Sequence, residues 1–590
     1  MSASKARYEP LASEDCGTEG GGHTYWTKHK SRIMVGVGTA GVIFVVAVVA
    51  VITGFVRGQG QQNDYSHEKD STYWHNVAQS ELEAALRDRQ RGVAKNVILF
   101  LGDGMGPTTV TAGRILAGQI KGKHGEETVL SFDRFPYTGL SRTYNVNSQV
   151  TDSAASGTAY LTGVKTNQGM LGLTAKASRG HCNTTHQAEV HSILRWSLDA
   201  GKSGGVVTTT RITHATPAAS YSHSADRDWE SDARIPVEQR ACVDIASQLI
   251  YNNTDISVIL GGGRASFYPR DYVDEHADAD QATRYLRRED GKNLIQDWQD
   301  NKKNQEKSYR YVYDRSGLES VDAAHTDYLL GLFNQGHMMY EKQRNETKEP
   351  SLAEMTAKAI QILKKNENGF FLLVEGGRID HGHHSTQASL ALHDVVAFAD
   401  AVEKATQLTS PSDTLIVVTA DHSHAFAFSG YASRGNDILG INMVGEKLSL
   451  GSDNKTYTTL LYGNGPGFLV NRENVTLQDT HDPLYRSQAA VPLASETHGG
   501  EDVAIYAKGP QSFLYSGVHE QNYIPMVMAY ASCVGPYGGS AQKKCARNEA
   551  VVTHAGPQQN TKQNVSDSGA ETLASLAVLI LCSAVSATTR

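Results

Sequence analysis

The segment that decides the fold reads Phe-Phe-Leu-Leu-Val-Glu-Gly-Gly-Arg-Ile-Asp-His-Gly-His-His, residues 370–384. Its first part, 370–374, is a short, continuous apolar run of the kind that forms a fully buried strand. Glu375, Asp380 and three histidines follow that run directly. Ligands bind at the carboxyl ends of the strands of an open parallel sheet, so we expect a functional site at this point of the chain.

Two other segments repeat the arrangement. The apolar run 96–101 continues into Gly102-Asp103-Gly104, and the run 415–419 continues into Ala420-Asp421-His422. Buried carboxylates without partners cost several kcal/mol, and a divalent cation is a partner that removes this cost. The three strand ends therefore predict one crevice in which acidic and imidazole groups bind metal ions.

The rest of the chain predicts an α/β fold with a large, mainly parallel central sheet that has helices on both faces. Further strand-like runs and helical patterns alternate at 205–210, 257–260, 352–365 and 388–407. Segment 265–350 is rich in charge and lacks such runs, so we interpret it as an insertion at the sheet edge. Segment 430–490 contains several turns and is interpreted as a small β subdomain.

The composition excludes several classes of protein. The chain has 590 residues, 39% of them hydrophobic, and only 15 prolines, which argues against disorder and collagen-like repeats. With 55 Lys+Arg against 63 Asp+Glu, it is not a basic nucleic-acid binder, and we expect no nucleic-acid partner.

Residue spacing refines the metal hypothesis. If the chain is helical after Arg378, Asp380 and His384 lie on one helical face and can bind the same ion. Asp421 and His422 are adjacent, so both reach one site only from the turn beyond their strand. Imidazole and carboxylate ligands without cysteine favour zinc.

Structural interpretations of the same residues remain open. Gly102-Asp103-Gly104 is also compatible with an ordinary Asx turn, and Pro107 breaks the dinucleotide-binding glycine pattern. His381, His383 and His424 are interpreted as structural or supporting histidines rather than ligands.

A candidate nucleophile, Ser153, lies in Thr-Asp-Ser-Ala-Ala-Ser-Gly-Thr-Ala-Tyr, residues 151–160. Asp152 or Ser153 is also typical of a helix N-cap, which would be a purely structural role. A serine at a helix N terminus meets free N–H groups that hold an anion, and a nearby metal ion can activate its hydroxyl.

Together these motifs resemble the alkaline phosphatases, most closely the animal membrane-bound enzymes, from about residue 96 to about residue 545. The resemblance rests on the segments 102–106, 152–154, 375–384, 419–424 and 496–502. It implies a nonspecific phosphate monoesterase, a homodimer, two zinc ions and one magnesium ion.

The resemblance also implies a role for each site residue. The first zinc would be held by Asp380, His384 and His498, the second by Asp103, Asp421 and His422 beside the nucleophile Ser153, and magnesium by Asp103, Glu375 and Thr216 with His214 nearby. Arg227 would bind the phosphate, and water would hydrolyse the phosphoserine. A calcium site is doubtful, because Asn334 stands where many animal relatives have an acidic residue.

Two alternatives compete with this function. One is a surface binding protein that has lost turnover, although every expected ligand position and Arg227 are present. The other is a sulfatase or phosphodiesterase relative, but the Cys-x-Pro-x-Arg sulfatase motif is absent from the sequence.

The chain ends predict attachment to the plasma membrane with the enzyme on its extracellular face. Residues 33–56 form an uncharged apolar run of about 24 residues, long enough for a bilayer. Flanking basic residues place 1–32 in the cytoplasm, although a cleaved signal peptide is the alternative. Residues 551–590 resemble a GPI-anchor signal with a short spacer. Which anchor is used stays open.

The predicted order is thus cytoplasmic tail, membrane anchor, a stalk and lead-in helix at 57–95, a catalytic domain at 96–550 and the tail. Four cysteines fall in the extracellular part, and short spacing favours pairing Cys533 with Cys545, which leaves Cys182 with Cys242. Six glycosylation sequons suit the same compartment.

Overall fold

The computed structural model describes residues 90–276, 281–538 and 545. Within these ranges, no helix is both long enough and apolar enough to cross a membrane. The predicted membrane segment at 33–56, most of the stalk at 57–95 and the tail at 551–590 lie outside the described residues and stay predictions.

A ten-stranded sheet forms the centre of the fold. In order across the sheet, its strands are β17 (Gly517–Glu520), β2 (Tyr137–Arg142), β16 (Val503–Lys508), β8 (Thr414–Ala420), β1 (Asn96–Gly102), β7 (Phe370–Gly376), β3 (Ser203–Arg211), β4 (Val258–Gly262), β6 (Tyr328–Leu332) and β5 (Tyr309–Val312). Strand β16 is antiparallel to both neighbours, and all other pairs are parallel. The predicted mainly parallel sheet is confirmed.

The central strands are apolar on both sides because both faces of the sheet are covered. In β1, Val97 and Leu99 pack into one hydrophobic core, whereas Ile98 and Phe100 pack into the other. Successive side chains of a strand point to opposite faces, so a continuous apolar run is what a doubly covered strand requires.

Helices pack on both faces of the sheet. The helices are α1 (Pro107–Gln119), α2 (Ser153–Thr162), α3 (Ile193–Asp199), α4 (Ala215–Ala219), α5 (Ile245–Ser247), α6 (Leu294–Asn304), α7 (Arg315–Ser320), α8 (Leu352–Leu363), α9 (Arg378–His384), α10 (Ala388–Leu408) and α11 (Tyr523–Ser532). Helices α2 and α11 pack into the core of Val97, and α8 and α10 pack into the core of Ile98. The predicted helices at 352–365 and 388–407 are confirmed within two residues.

Both edges of the sheet differ from the sequence prediction. Strands β5 and β6 lie within segment 265–350, where the sequence predicted none, and they form one edge. On the other side, β2, β16 and β17 were not predicted. These strands have four to six residues, and several expose one face, so they lack the long apolar run that marks the central strands.

Small sheets follow the central strands in the chain. A three-stranded sheet contains β10 (Phe426–Phe428), β13 (Leu460–Gly465) and β14 (Ala489–Pro492), and β11 (Met443–Val444) pairs with β12 (Lys447–Leu448). They lie largely within the segment 430–490 that predicts a small β subdomain. Strand β9 (Ser423–His424) pairs with β15 (His498–Gly499), which aligns His424 with His498.

Two disulfides join the four cysteines of the predicted extracellular part. Cys182 is bonded to Cys242, and Cys533 is bonded to Cys545. This is the pairing that the sequence predicts.

The packing of α10 on the sheet yields a stability prediction. Phe398 is fully buried and makes edge-to-face contacts with Phe100 and Phe132, at centroid distances of 5.8 and 6.1 Å. Phe398→Ala leaves a cavity there and should lower the free energy of unfolding by about 3–5 kcal/mol. Urea unfolding followed by circular dichroism measures this change.

Lys404→Ala, at an exposed position of the same helix, is the matched control and should change stability by less than about 0.5 kcal/mol. Equal midpoints for Phe398→Ala and Lys404→Ala would contradict the packing described here.

Candidate active site

The register of three central strands brings their carboxyl ends to one line. Gly102 at the end of β1 is paired with Gly376 of β7 on one side and with Ala420 of β8 on the other. The residues that follow, Asp103 and Asp421, therefore lie next to each other. The predicted convergence of the strand ends is thus present in the fold.

Asp380 lies at the centre of a first cluster of ligand-type side chains. Its Oδ1 atom is 2.9 Å from His424 Nε2, 3.3 Å from His384 Nε2 and 3.4 Å from His498 Nε2. Helix α9 places Asp380 and His384 on the same face, as their spacing predicts. We call Asp380, His384, His424 and His498 the first cluster.

A second cluster surrounds the candidate nucleophile. Asp421 and His422 follow the end of β8, and His422 Nε2 lies 3.1 Å from Asp421 Oδ2 and 3.5 Å from Asp103 Oδ1. Ser153 Oγ is 3.4 Å from His422 Nε2 and 3.5 Å from Asp103 Oδ1. We call Asp103, Asp421 and His422 the second cluster.

A third group shares Asp103. One ligand atom each from Asp103, His214 and Glu375 lie within 4.8 Å of one another. Thr216, the other predicted magnesium ligand, accepts a hydrogen bond from Tyr160 Oη at 3.3 Å. It lies in the first turn of α4, and His214 immediately precedes that helix. His214 therefore lies close enough to Asp103 and Glu375 to share an ion with them.

Ser153 is the first residue of α2, and Asp152 caps that helix by accepting a hydrogen bond from the Ala155 amide. The predicted helix cap is therefore present, and it fixes the helix end that presents the serine. Asp152 also accepts from Arg227 Nη1 at 2.9 Å. The guanidinium of Arg227 is thereby held beside Ser153.

These groups open into one cavity of about 460 Å³. Its walls include Asp152, Ser153, Arg227, Asp380, His384 and His498. Ser153, Arg227 and three members of the first cluster therefore face the same space, which is large enough for a phosphate ester.

Burial and mutual repulsion shape the electrostatics of the acidic groups. Burial, together with the charges of Asp421, Asp380 and Glu375, raises the pKa of Asp103 well above its usual range. Burial raises the pKa of Glu375 to about 7. Without cations, these carboxylates resist ionisation at this spacing.

Two histidines of the first cluster, His384 and His498, respond in the opposite direction, whereas the carboxylates of Asp380 and Glu496 outweigh burial and raise the pKa of His424 to about 10. Burial lowers the pKa values of His384 and His498, so that both are neutral near pH 7. A neutral imidazole with a free lone pair is the form that binds a metal ion.

Buried oxygen atoms test whether cations fit the site. Asp103 Oδ2 and Glu375 Oε1 are buried and make no hydrogen bond. Such atoms carry a high desolvation cost unless an ion binds them. The mixed imidazole and carboxylate set of the first two clusters suits zinc, and the third group, richer in oxygen, suits a harder cation such as magnesium.

Sequence reasoning missed several supporting groups. Thr208 and Thr210, alternate residues of β3, both donate to Glu375 Oε2. The period of two along the Thr-Thr-Thr stretch is a signal that could have revealed them. His424, interpreted as structural, lies closer to Asp380 than the two histidines predicted as ligands do.

The other histidines in question have protein partners. His383 contacts Thr109 Oγ1 at 3.0 Å and Tyr462 Oη at 2.9 Å, which fits its predicted structural role. His381 Nδ1 lies 2.8 Å from Arg378 Nη1.

Asn334, the residue that makes the predicted calcium site doubtful, bonds to the nearby Glu349. Asn334 Nδ2 donates to Glu349 Oε1 at 2.7 Å, and the Met339 amide donates to Glu349 Oε2 at 2.8 Å. Both oxygens of this carboxylate are thus engaged.

Comparisons with known proteins agree with the geometry. The family model of alkaline phosphatase matches residues 94–534. The rat tissue-nonspecific isozyme of alkaline phosphatase is 54% identical over 476 residues, which cover 79% of this chain and 90% of the relative. The human tissue-nonspecific isozyme is 53% identical over 475 residues with the same coverage, and the alkaline phosphatase of Gadus morhua is 52% identical over 79% of this chain and 98% of its own.

Solved structures agree on the fold. The alkaline phosphatase of Thermus thermophilus aligns with a TM-score of 0.53 at 24% identity, over 75% of this chain and 92% of its own. That of the Antarctic bacterium TAB5 aligns with a TM-score of 0.50 at 22% identity, over 75% and 99%. With a family model matching most of its length and relatives above 50% identity, this chain belongs to the alkaline phosphatase family, whose members hydrolyse phosphate monoesters.

Proposed function

We propose that the enzyme hydrolyses phosphate monoesters with Ser153 as its nucleophile, in a site that holds two zinc ions and one magnesium ion. The observation that carries this proposal is the position of Ser153 Oγ, within 3.5 Å of the second cluster and at the N terminus of α2. No other serine of the cavity wall combines these two features among the described residues.

The first chemical step is attack of Ser153 Oγ on the phosphorus of the substrate. The bond from phosphorus to the ester oxygen breaks, the alcohol leaves, and the phosphoryl group is carried by the serine. Water then attacks the phosphoserine and releases phosphate. The free N–H groups at the start of α2 stabilise negative charge on the phosphoryl oxygens.

Arg227 positions the phosphoryl group. Asp152 is bonded to Nη1 and holds the planar guanidinium at the cavity wall. A guanidinium donates two parallel hydrogen bonds to two phosphate oxygens, which a lysine ammonium does not. The same carboxylate caps α2, so one side chain aligns both the nucleophile and the clamp.

The metal assignments follow the three groups. Asp380, His384 and His498 would hold the first zinc, Asp103, Asp421 and His422 the second, and Asp103, Glu375 and Thr216 magnesium, with His214 beside it. When bound, such ions activate the serine hydroxyl and stabilise the charge of the leaving oxygen. Four buried carboxylates and neutral imidazoles support these assignments.

We further propose that the enzyme is a homodimer on the extracellular face of the plasma membrane. Tyr431, Val470 and Leu477 expose 94%, 87% and 95% of their surface, and such apolar side chains in the region of the small sheets would suit a subunit interface. Two disulfides favour an oxidising compartment. The anchors at 33–56 and 551–590 remain sequence predictions.

Ser153→Ala tests the nucleophile. It should lower kcat for an aryl phosphate by roughly 10⁴-fold or more, because the covalent step is lost, while zinc content stays near that of the wild type. Steady-state kinetics and elemental analysis measure both quantities.

The control is Ser192→Ala, which also removes a buried serine at a helix N terminus, but on α3. It should leave kcat near normal. If Ser153→Ala turned over at the wild-type rate, Ser153 would have no place in the pathway.

Arg227→Lys tests the clamp. An ammonium group cannot donate two parallel hydrogen bonds to the phosphate as a guanidinium does. The substitution should therefore lower kcat/KM and weaken inhibition by inorganic phosphate, each by about 10- to 100-fold, which corresponds to the loss of one hydrogen bond to a charged group. Arg195→Lys, which disturbs only an ion pair with Asp255 and Asp199, serves as control. Unchanged phosphate inhibition in Arg227→Lys would refute the role.

Metal removal tests the three groups together. Chelation should abolish activity and lower Tm, because ions bound only by the folded state stabilise it by about 4 kcal/mol each at 1,000 times Kd. Zinc followed by magnesium should restore both. Full activity after exhaustive chelation, with no metal left by elemental analysis, would rule out the proposed mechanism.

A further inference from the structure

Glu496 lies immediately behind the first cluster, two residues before His498. Its carboxylate is fully buried. Oε2 lies 2.6 Å from His424 Nδ1, and Oε1 accepts a hydrogen bond from the Ala425 amide at 2.8 Å. Both oxygens are therefore fixed in position.

His424 connects the Glu496 carboxylate to Asp380. Because Glu496 holds Nδ1, the opposite ring nitrogen, Nε2, is directed at Asp380 Oδ1 at 2.9 Å. The imidazole is fully buried and lies between two carboxylates. A change at Glu496 would let the ring rotate and would release the aspartate oxygen.

The backbone of the same residue orients His384. Glu496 O accepts from His384 Nδ1 at 2.5 Å, and Glu496 N donates to His384 O at 2.9 Å. With Nδ1 engaged in this way, Nε2 of His384 points towards Asp380 and towards Nε2 of His498, 3.2 Å away. Glu496 thus bonds one predicted zinc ligand, His384, and the partner of another, Asp380.

The third predicted ligand, His498, is positioned by the pairing of β15 with β9. Glu496 bonds Ala425, which follows β9, and His498 opens β15, the strand paired with β9. The Glu496 carboxylate thereby ties the segment that carries His498 to the segment that carries His424. The second cluster has no contact of this kind with Glu496.

We propose that Glu496 is a positioning residue that sets the zinc affinity of the first cluster and leaves that of the second unchanged. The imidazole that binds a metal is oriented by the partner of its other nitrogen, and loss of such a partner typically weakens metal affinity 10- to 100-fold. This proposal rests on the zinc assignments of the proposed function.

The experiment uses the full-length protein loaded with zinc and magnesium. Glu496→Gln keeps the size of the side chain but replaces one acceptor oxygen by an N–H donor group, so it cannot accept hydrogen bonds from both the Ala425 amide and the Nδ1–H of His424, as the carboxylate does. Competition with a zinc chelator, read by elemental analysis, should show one zinc bound about 10- to 100-fold more weakly and the other bound as in the wild type. Adding free zinc should restore kcat.

The matched control is Glu501→Gln. Glu501 follows β15 and contacts Ser423 Oγ of the paired strand β9, but among the described residues it has no contact with a predicted ligand. Both zinc affinities should stay at the wild-type values. Cobalt substitution gives a second readout, because the visible spectrum of one cobalt ion should change in Glu496→Gln only.

Glu496→Asp covers the case in which Glu496→Gln does not fold. It keeps the charge and withdraws the carboxylate from His424 by about one C–C bond, and it should weaken the same single zinc. Two zinc ions of wild-type affinity, or two weakened equally, in either folded variant would overturn the proposal. If the wild-type protein itself bound no zinc, the proposed function would fail instead.

Discussion

Four carboxylates buried in one crevice impose the main constraint on this structure. Asp103, Glu375, Asp380 and Asp421 are all fully or almost fully buried, and like charges in a poorly solvated site repel strongly. Arg227, the guanidinium at the cavity wall, is already paired with Asp152. Divalent ions, as proposed above, would supply positive charge to this crevice, and phosphoryl transfer uses such ions.

The architecture makes this crowding unavoidable. The ends of β1, β7 and β8 are in register, so the residues beyond them share one edge of the sheet, and short turns leave their side chains little freedom. Neighbouring residues keep these groups in place, because threonines of β3 donate hydrogen bonds to Glu375 and Asp152 caps α2. The same arrangement of strands therefore produces both the crowding of the carboxylates and the geometry of the site.

Charge around the site is distributed over more residues than the ligands. Glu496 extends the first cluster by one layer through its contact with His424, and Asp152 links the Ser153 helix to Arg227. Each of these contacts joins segments that are far apart in the chain. Mutations in this layer would act on ion affinity and alignment rather than on the reacting atoms.

The sequence by itself determined the central strands, the helices at 352–365 and 388–407, and the acidic residues at the strand ends. It did so because buried parallel strands need continuous apolar runs and because motifs such as Asp380 to His384 have helical spacing. The edge strands β5 and β6 were missed, since strands of only four and five residues leave a weak pattern. Only the tertiary structure decided that His424 faces Asp380 and that Glu496 holds it, because their pairing depends on the β9–β15 register and on burial, neither of which local sequence encodes.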